Sequence, residues 1–369
     1  LQFGGLAIMP FALLLLQSQT VGPEWAGAAG SALAFLIMGA GLHTAQTAGL
    51  ALATDLVPKE KRPRVVALLY VMLLAGMILS ALVFSFLLAD FSAKRLIQVI
   101  QGAAVFTLAI NVISMWKQEA RDPNLTRHDR PAPKFLQSLA EYHADPRTGR
   151  LLLAVALGTA AFSMQDVLLE PYGAEVLGLS VSETTLLTAF WAIGTLAGFG
   201  LAGKRLERGA HMHRVAALGI LAGIGAFSAV IFAAPLQSTL LFSAGAGVIG
   251  FGGGLFAVGT MLAAMDIADS MSGKADTGFV IGAWSAVQAT AIGLSLAIGG
   301  ILKDGANALA ADGYLGEALS NSAAGYMFVY HIEIALLFIS LVVLGPLVGR
   351  RVTGNEGRPR QFGLADMPG

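Results

Sequence analysis

The sequence predicts an all-α membrane protein whose helices cross the bilayer many times. Of its 369 residues 56% are hydrophobic and only 12% are charged, whereas soluble domains carry about 25% charged residues. The mean hydropathy is +0.71, and apolar runs of about 20 residues, the length that spans the hydrocarbon core as a helix, recur along the whole chain. These observations favour a polytopic helical bundle over a soluble fold.

Ten apolar segments are predicted to be spans. They lie at residues 3–20, 28–53, 65–89, 95–116, 150–177, 184–204, 213–233, 238–265, 276–302 and 325–349. The polar interval 117–149 is too rich in proline and charge to span, although its stretch KFLQSLAEY fits a short surface helix. The predicted organisation is an N-terminal four-helix bundle at 1–116, a cytoplasmic loop at 117–149, a C-terminal six-helix bundle at 150–350 and a cytoplasmic tail at 351–369.

The basic residues predict the orientation of these spans. With alternating spans, 20 of the 23 lysines and arginines fall on one side of the membrane, and only Lys94, Arg95 and Lys303 fall on the other. Because Lys and Arg accumulate in cytoplasmic loops, this asymmetry predicts that the central loop and the C-terminus are cytoplasmic. The first apolar segment lacks a basic n-region and an A-x-A site, which favours a true span over a signal peptide.

The arrangement of four plus six spans predicts a particular membrane fold. Two six-helix halves around a long cytoplasmic loop are the plan of the major facilitator superfamily, whose halves are related by an axis along the membrane normal. We therefore expect this fold, with the first two helices of the six-plus-six plan missing before Leu1. The chain also begins at Leu1 without a methionine, which fits that expectation.

One cytoplasmic loop carries a basic motif. GKRLERGAHMHR, 203–214, resembles the facilitator loop motif G-x-x-x-[DE]-R through Gly203, Glu207 and Arg208. The glycine permits close helix approach, and the charged pair can hold neighbouring helix ends. An ordinary positively charged cytoplasmic loop is the alternative interpretation.

A second candidate gating turn is TDLVPKEKRPRVVAL, 54–68. Asp55 is predicted to end one helix, and Arg62 and Arg64 lead into the next. In facilitators an acidic residue at this place can pair with a basic loop and stabilise one gating state. A helix cap combined with orientation-setting charge explains the same residues equally well.

Four long strings resemble one family. They are HTAQTAGLALATDL (43–56), RPRVVALLYVMLLAGM (62–77), MQDVLLEPYGAEVLGL (164–179) and GAWSAVQATAIGLSLAIGG (282–300). They are similar to the PucC family, also called the bacteriochlorophyll delivery family, and the likeness extends from Leu1 to about Arg350. The resemblance implies a facilitator-like fold with a function other than ordinary solute transport.

What the resemblance implies is assembly of bacterial light-harvesting complex 1 or 2. The implied cargo is bacteriochlorophyll, and the implied partners are the antenna α and β polypeptides and a reaction centre–light-harvesting 1 complex. The implied location is the bacterial inner, or intracytoplasmic, membrane. A proton-coupled secondary transporter and a pigment-free scaffold for antenna helices are the alternatives.

Two carboxylates, Asp166 and Glu170, lie inside the fifth predicted span, one helical turn apart and directly before Pro171. Measured from Arg150 at about 1.5 Å per residue, they lie about 24 Å and 30 Å along the span. A charge at the bilayer centre costs on the order of 3 kcal/mol, and this depth near the far interface lowers the cost. Three interpretations stay open: hydrated or paired helix-end groups, a surface that recognises pigment or antenna peptide, and a proton relay.

Histidines within the spans are candidate pigment ligands, because a neutral imidazole can ligate the magnesium of a chlorin. His43 is the first candidate, deep in the second span with Gln46 on a nearby face. His331 is the second, in the last span with Glu333, at a depth comparable with that of Asp166. The alternative is a histidine hydrogen-bonded to Thr or Gln across a helix interface. No separate metal site is predicted.

No motif indicates an enzyme. The histidines are scattered, and neither HExxH nor a Ser–His–Asp order occurs. The Gly-rich run AGAGVIGFGGGLFAVG, 244–259, lacks the G-K-[ST] ending of a phosphate loop. Its glycines at 245, 250, 254 and 259 predict close helix packing, with a flat groove for a planar macrocycle as the alternative. The absence of cysteine excludes thiolate metal sites and cysteine nucleophiles, and the balanced charge gives no indication of nucleic-acid binding.

Overall fold

A computed structural model of the protein describes residues 1–17, 24–55, 57, 62–88, 92–116, 146–270, 277–314, 316 and 323–348. All regular secondary structure in these ranges is helical. The predicted surface helix within the central loop and the predicted tail at 351–369 lie outside the described residues.

Eleven α-helices follow one another along the described part of the chain. They are α1 (Gln2–Gln17), α2 (Glu24–Asp55), α3 (Arg62–Leu87), α4 (Ala93–Ser114), α5 (Pro146–Ser163), α6 (Leu169–Leu177), α7 (Val181–Glu207), α8 (Met212–Ala233), α9 (Thr239–Ser270), α10 (Thr277–Ala311) and α11 (Ala324–Val348). A 3-10 turn, Met164–Val167, lies between α5 and α6. These helices correspond to the ten predicted spans, except that the fifth span is divided and α10 continues to Ala311.

Nine segments of the described helices are long and apolar enough to cross a membrane. The segment in α1, Gln2–Leu15, is apolar but shorter. The chain divides into two units, one made of Leu1–Tyr70 with Leu82–Pro131 and the other of Val71–Ala81 with Ala132–Gly369.

Within the first unit, α1 packs against α2 and α4. Two polar contacts join α1 to α4: the Gln101 amide donates to the Ala7 carbonyl oxygen at 2.8 Å, and the Asn111 amide donates to Gln2 Oε1 at 2.9 Å. Such hydrogen bonds supply interhelical specificity where no water competes.

Within the second unit, α9 packs against α7 and α8, and α11 packs against α5 and α8. The predicted role of the α9 glycines in packing is confirmed. A Cβ atom at Gly254 would lie 2.7 Å from the Thr195 carbonyl oxygen, and one at Gly259 would lie 2.8 Å from the Met212 carbonyl oxygen. Helix backbones at this separation leave no room for any larger residue.

Candidate functional site

The candidate site lies where the fifth predicted span is interrupted. α5 ends at Ser163, a 3-10 turn covers Met164–Val167, and α6 begins at Leu169. Pro171, in the first turn of α6, has no N–H to donate to the carbonyl oxygen of Val167, and its ring clashes with that carbonyl in a continuous α-helix. The interruption lies before Pro171, because the missing hydrogen bond belongs to the preceding turn.

A second carboxyl group lies near the interruption, because the 3-10 turn packs against α11. Glu333 of α11 has 0% of its surface exposed, and neither of its carboxylate oxygens has a hydrogen-bond partner among the described residues. The Gln165 backbone N–H lies near this carboxylate but outside hydrogen-bond geometry, and a negative charge on Asp166 disfavours one on Glu333. The predicted similarity in membrane depth of Asp166 and Glu333 stays a prediction.

Asp166 differs from Glu333 in its access to the surface. Its carboxylate accepts a hydrogen bond from the Gln165 side-chain amide. The residue is exposed, in contrast to the enclosed Glu333. The pair therefore joins one accessible carboxyl group to one that is fully enclosed.

Glu170 lies in α6, whereas Asp166 lies in the 3-10 turn. The two carboxylates therefore do not lie one turn apart on a single continuous helix, which is what the sequence predicted. Glu170 is half-buried in α6, and the Thr188 hydroxyl of α7 donates to Glu170 Oε1 at 2.7 Å. The four-residue spacing places two side chains on one face only in an unbroken helix, and the 3-10 turn removes that condition. Glu170 is a hydrogen-bonded group between α6 and α7.

Three tyrosines of α6 and α11 form an aromatic cluster near Glu333. Tyr172, Tyr326 and Tyr330 are fully buried, and the Tyr172 ring centroid lies 5.2 Å and 5.5 Å from those of the other two. The Tyr326 hydroxyl donates to Glu175 Oε2 at 2.7 Å. The Tyr330 hydroxyl has no hydrogen-bond partner among the described residues and lies within range of the Glu333 charge.

His331 lies on the opposite face of α11 from Glu333 and is exposed. Its Nδ1 atom lies 2.6 Å from the Met327 carbonyl oxygen. A carbonyl oxygen can only accept, so Nδ1 carries a hydrogen, and in the neutral tautomer with that hydrogen the free lone pair belongs to Nε2.

The other predicted pigment residues, His43 and Gln46, belong to the first unit. Both lie on α2, where residues 42–46 are all exposed. Because the residues on every side of this stretch are exposed, no packing surface distinguishes His43 or Gln46. Their predicted role in pigment binding stays a prediction.

The loop-motif residues lie at helix ends. α7 ends at Glu207, Arg208 is its exposed C-cap and Gly203 is buried one turn earlier. Asp55 is the last residue of α2 and Arg62 the first of α3. The side chains of Asp55, Arg62 and Arg64, and hence the predicted gating contacts, lie outside the part of the chain that the structure describes.

Sequence reasoning missed the aromatic part of the site. Tyr326, Tyr330 and Glu333 follow an i, i+4, i+7 spacing, which places three polar groups on one face of an otherwise apolar helix. That spacing is a usable signal. Gln165 offered no such signal, because its position depends on where the preceding helix ends.

Comparison with known proteins identifies the family. A family model described as "PUCC protein" matches residues 1–352. The chain belongs to the PucC family. The resemblance seen in the four sequence strings is confirmed.

Three relatives illustrate the range of similarity within this comparison. The "Uncharacterized protein in puhA-bchM intergenic region" of Rhodobacter capsulatus is 50% identical over 376 residues, covering 100% of this chain and 77% of that protein. "Protein PucC" of Rhodobacter capsulatus is 46% identical over 357 residues, covering 95% and 75%. The "Bacteriochlorophyll synthase 44.5 kDa chain" of Rhodobacter capsulatus is 27% identical over 272 residues, covering 73% and 63%.

The fold is that of the major facilitator superfamily, as predicted. The crystal structure of a bacterial homologue of the iron transporter ferroportin, in an outward-facing state, matches with a TM-score of 0.55 and 16% sequence identity. The match covers 95% of this chain and 83% of that one. At this identity the likeness concerns the fold alone.

Proposed function

We propose that this PucC-family protein is an assembly factor for a bacterial light-harvesting complex, light-harvesting complex 1 or 2. It handles or delivers bacteriochlorophyll, chaperones the antenna α and β polypeptides, or does both, and a reaction centre–light-harvesting 1 complex is a further partner. It does so in the inner, or intracytoplasmic, membrane, with the central loop and the C-terminus cytoplasmic. Family membership supports the assembly role, and the name of the 27% identical relative points to the pigment.

The structural observation that carries the pigment part of this proposal is the setting of His331. α11 is described throughout, and its exposed residues form one stripe along the helix: Phe328, His331, Ala335, Phe338, Ile339, Val342, Gly345 and Pro346. His331 is the one polar side chain in that stripe. It lies about 10 Å from the start of the helix, within the hydrocarbon depth of a spanning segment.

A histidine in such a stripe has an Nε2 atom without a hydrogen-bond partner in an apolar environment, which is unfavourable by itself. Ligation of the magnesium of a flat, apolar macrocycle would remove that penalty, because Nε2 would supply a lone pair to the metal and the flanking aromatic and aliphatic side chains would hold the ring. Imidazole is the commonest protein metal ligand, and a hydrogen bond at Nδ1 orients the ring for ligation through Nε2.

The test is pigment content of the protein purified gently from a phototrophic host. Absorption spectroscopy and pigment extraction measure bacteriochlorophyll after antenna peptides are stripped away, and mass spectrometry identifies co-purifying proteins. We expect near-stoichiometric bacteriochlorophyll in the unaltered chain and at least a fivefold loss in His331→Ala. His211→Ala, which removes a histidine from the loop between α7 and α8, is the matched control and keeps the pigment, and His43→Ala tests the other candidate.

Two outcomes contradict this proposal in different ways. A colourless protein that carries antenna peptides even when pigment synthesis is blocked removes pigment handling and leaves a pigment-free scaffold for antenna helices. A protein that is colourless and alone removes both roles.

A proton-coupled secondary transporter is the second candidate function. The facilitator fold and the Asp166–Glu333 pair favour it, and Glu170 is the third acidic residue that such a transporter would use. It predicts solute flux into membrane vesicles that collapses with the proton gradient and is lost in Asp166→Asn. Flux that is insensitive to an uncoupler eliminates this candidate.

A further inference from the structure

The interior of the site, between the 3-10 turn and α11, contains buried oxygen atoms that accept no hydrogen bond from the described residues. Glu333 Oε1 and Oε2 and Gln165 Oε1 are all buried and have no hydrogen-bond partner among the described residues. The Tyr330 hydroxyl, also buried and unpartnered, is the one group of this set that has a hydrogen to donate. The site therefore contains an excess of buried acceptors.

The charged and titratable groups around Glu333 do not offset a negative charge there. Asp166 on the 3-10 turn adds a second carboxylate, and Tyr330 is a buried phenol one turn before Glu333 on α11. Tyr172 on α6 and Tyr326 on α11 belong to the same aromatic cluster as Tyr330.

The basic residues of the packed helices are engaged elsewhere or remote. The Lys303 ammonium of α10 lies over the Tyr326 ring at 5.1 Å and 3.2 Å from its neighbour Asp304. The basic residues of α5 and α8 stand in the first turns of those helices, about 20 Å or more along the axis from the site; they are Arg147, Arg150, His213 and Arg214.

An ionised carboxylate enclosed in this way, with no ion partner among the described residues and only the Gln165 backbone N–H near it, is strongly unfavourable. We propose that Asp166 and Glu333 form a proton-binding site in the second unit, in which one proton is held on Glu333 and exchanges with water by way of Asp166. The proton converts Glu333 into a donor and so supplies the hydrogen that the acceptor-rich cluster lacks. Two neighbouring carboxyl groups that share one proton also avoid the repulsion between two like charges.

The exchange is a simple transfer. A hydronium ion at the exposed Asp166 side chain gives its proton to the Asp166 carboxylate, and Asp166 passes it to Glu333, so that one O–H bond breaks as another forms at each step. No further reactant is needed. The site does not depend on pigment handling, and its test reads the proton directly.

The test is infrared spectroscopy of the purified full chain in lipid nanodiscs at neutral pH, because a protonated carboxylic acid has a C=O stretch distinct from that of a carboxylate. We expect such a band, shifted by exchange into heavy water, in the unaltered protein and in Asp166→Asn, and its loss in Glu333→Gln. Gln is close in shape to a protonated glutamic acid, so this variant is expected to fold. Glu170→Gln and Glu175→Gln remove hydrogen-bonded carboxylates as matched controls and keep the band.

Exchange through Asp166 is tested by the rate at which the band shifts after transfer into heavy water. We expect at least a tenfold slower shift in Asp166→Asn than in the unaltered protein, and an unchanged rate overturns the proposed route. The absence of the band at neutral pH, or its persistence in Glu333→Gln, overturns the site. Loss of the band when sodium or calcium chloride is added at constant pH overturns it in favour of a metal cation bound by the same oxygens.

Discussion

At the scale of single residues, hydrogen bonding separates the acidic side chains of the second unit into two groups. Glu170 and Glu175 accept from Thr188 and Tyr326, each at 2.7 Å, and hold helices together. Glu333 accepts from no described group. A carboxylate with a hydrogen-bond partner can stay charged and serve only to hold helices together. An enclosed carboxylate without a partner destabilises the fold, so its presence points to a chemical role.

The Tyr326 hydroxyl bond to Glu175 is predicted to stabilise the contact between α11 and α6. A hydrogen bond to a charged acceptor contributes about 1.5–3 kcal/mol, and we expect Tyr326→Phe to lose about 1 kcal/mol because Glu175 is exposed and regains water. Thermal unfolding in detergent measures the loss. Tyr314→Phe, at a residue that is 78% exposed, is the control and is expected to leave the midpoint unchanged. Equal midpoints for the two variants would show that the bond contributes nothing.

Sequence reasoning reached the acidic residues of the site but not their arrangement. Hydropathy and depth predicted that Asp166 and Glu333 lie at similar levels, since both follow from counting along single helices. That Glu333 turns inward while His331 turns outward depends on how α11 is rotated against α5 and α8. This rotation is set by side-chain packing between helices distant in sequence, and no local pattern encodes it.

At the scale of secondary-structure elements, the interrupted span is the feature that builds the site. Pro171 explains why the α-helix is interrupted here, but the length and position of the 3-10 turn depend on the whole segment from Met164 to Leu168. Leu168, with φ −108° and ψ −25°, links the two helical axes. A turn of this kind is a frequent mark of function in membrane helices, because it leaves backbone groups unpaired where a binding site needs them.

The capping box at the start of α7 gives a prediction at this scale. The Ser180 hydroxyl accepts from the Glu183 backbone N–H, and the Glu183 carboxylate accepts from the Ser180 backbone N–H at 2.8 Å. We expect Ser180→Ala to lower stability by about 1 kcal/mol. A double-mutant cycle with Glu183→Ala, followed by thermal unfolding, is expected to show less than additive loss. Strict additivity would mean that the two bonds do not act as one cap.

The glycines of α9 give a prediction about packing between helices. A Cβ atom at Gly250 would collide with the Trp191 carbonyl oxygen of α7, whereas one at Gly200 of α7 meets nothing within 4 Å. We expect Gly250→Ala to destabilise the second unit by about 1–3 kcal/mol, because backbone cannot move aside as a side chain can. Gly200→Ala is the matched control and changes stability by less than about 1 kcal/mol. Similar unfolding midpoints in detergent for both variants would contradict the close approach of α7 and α9.

At the scale of the whole molecule, the arrangement of helices could be predicted to a large extent from sequence. Apolar run length predicted most ends of the described spanning helices within a few residues, since the bilayer imposes a similar length on each. The fold followed from the count of spans around the central loop, and the match to a facilitator structure confirms it. The details that were not predicted, the division of the fifth span and the extension of α10 to Ala311, concern helix ends, where solvent, lipid and neighbouring helices compete.

The orientation of the chain in the membrane is the last prediction, and the absence of cysteine makes it directly testable. Single substitutions Leu236→Cys and Ser180→Cys place a thiol in the loops after α8 and α6, which the distribution of basic residues assigns to the periplasmic side. Ala210→Cys, in the loop after α7, and Ala132→Cys, in the central loop, place one on the cytoplasmic side. A membrane-impermeant maleimide added to spheroplasts is expected to label the first two, and to label the last two only after the membrane is opened. The unaltered chain is the control and takes no label, since it has no thiol. The reverse pattern would invert the topology and would place the exposed Asp166 toward the cytoplasm, whereas the expected pattern places it toward the periplasm.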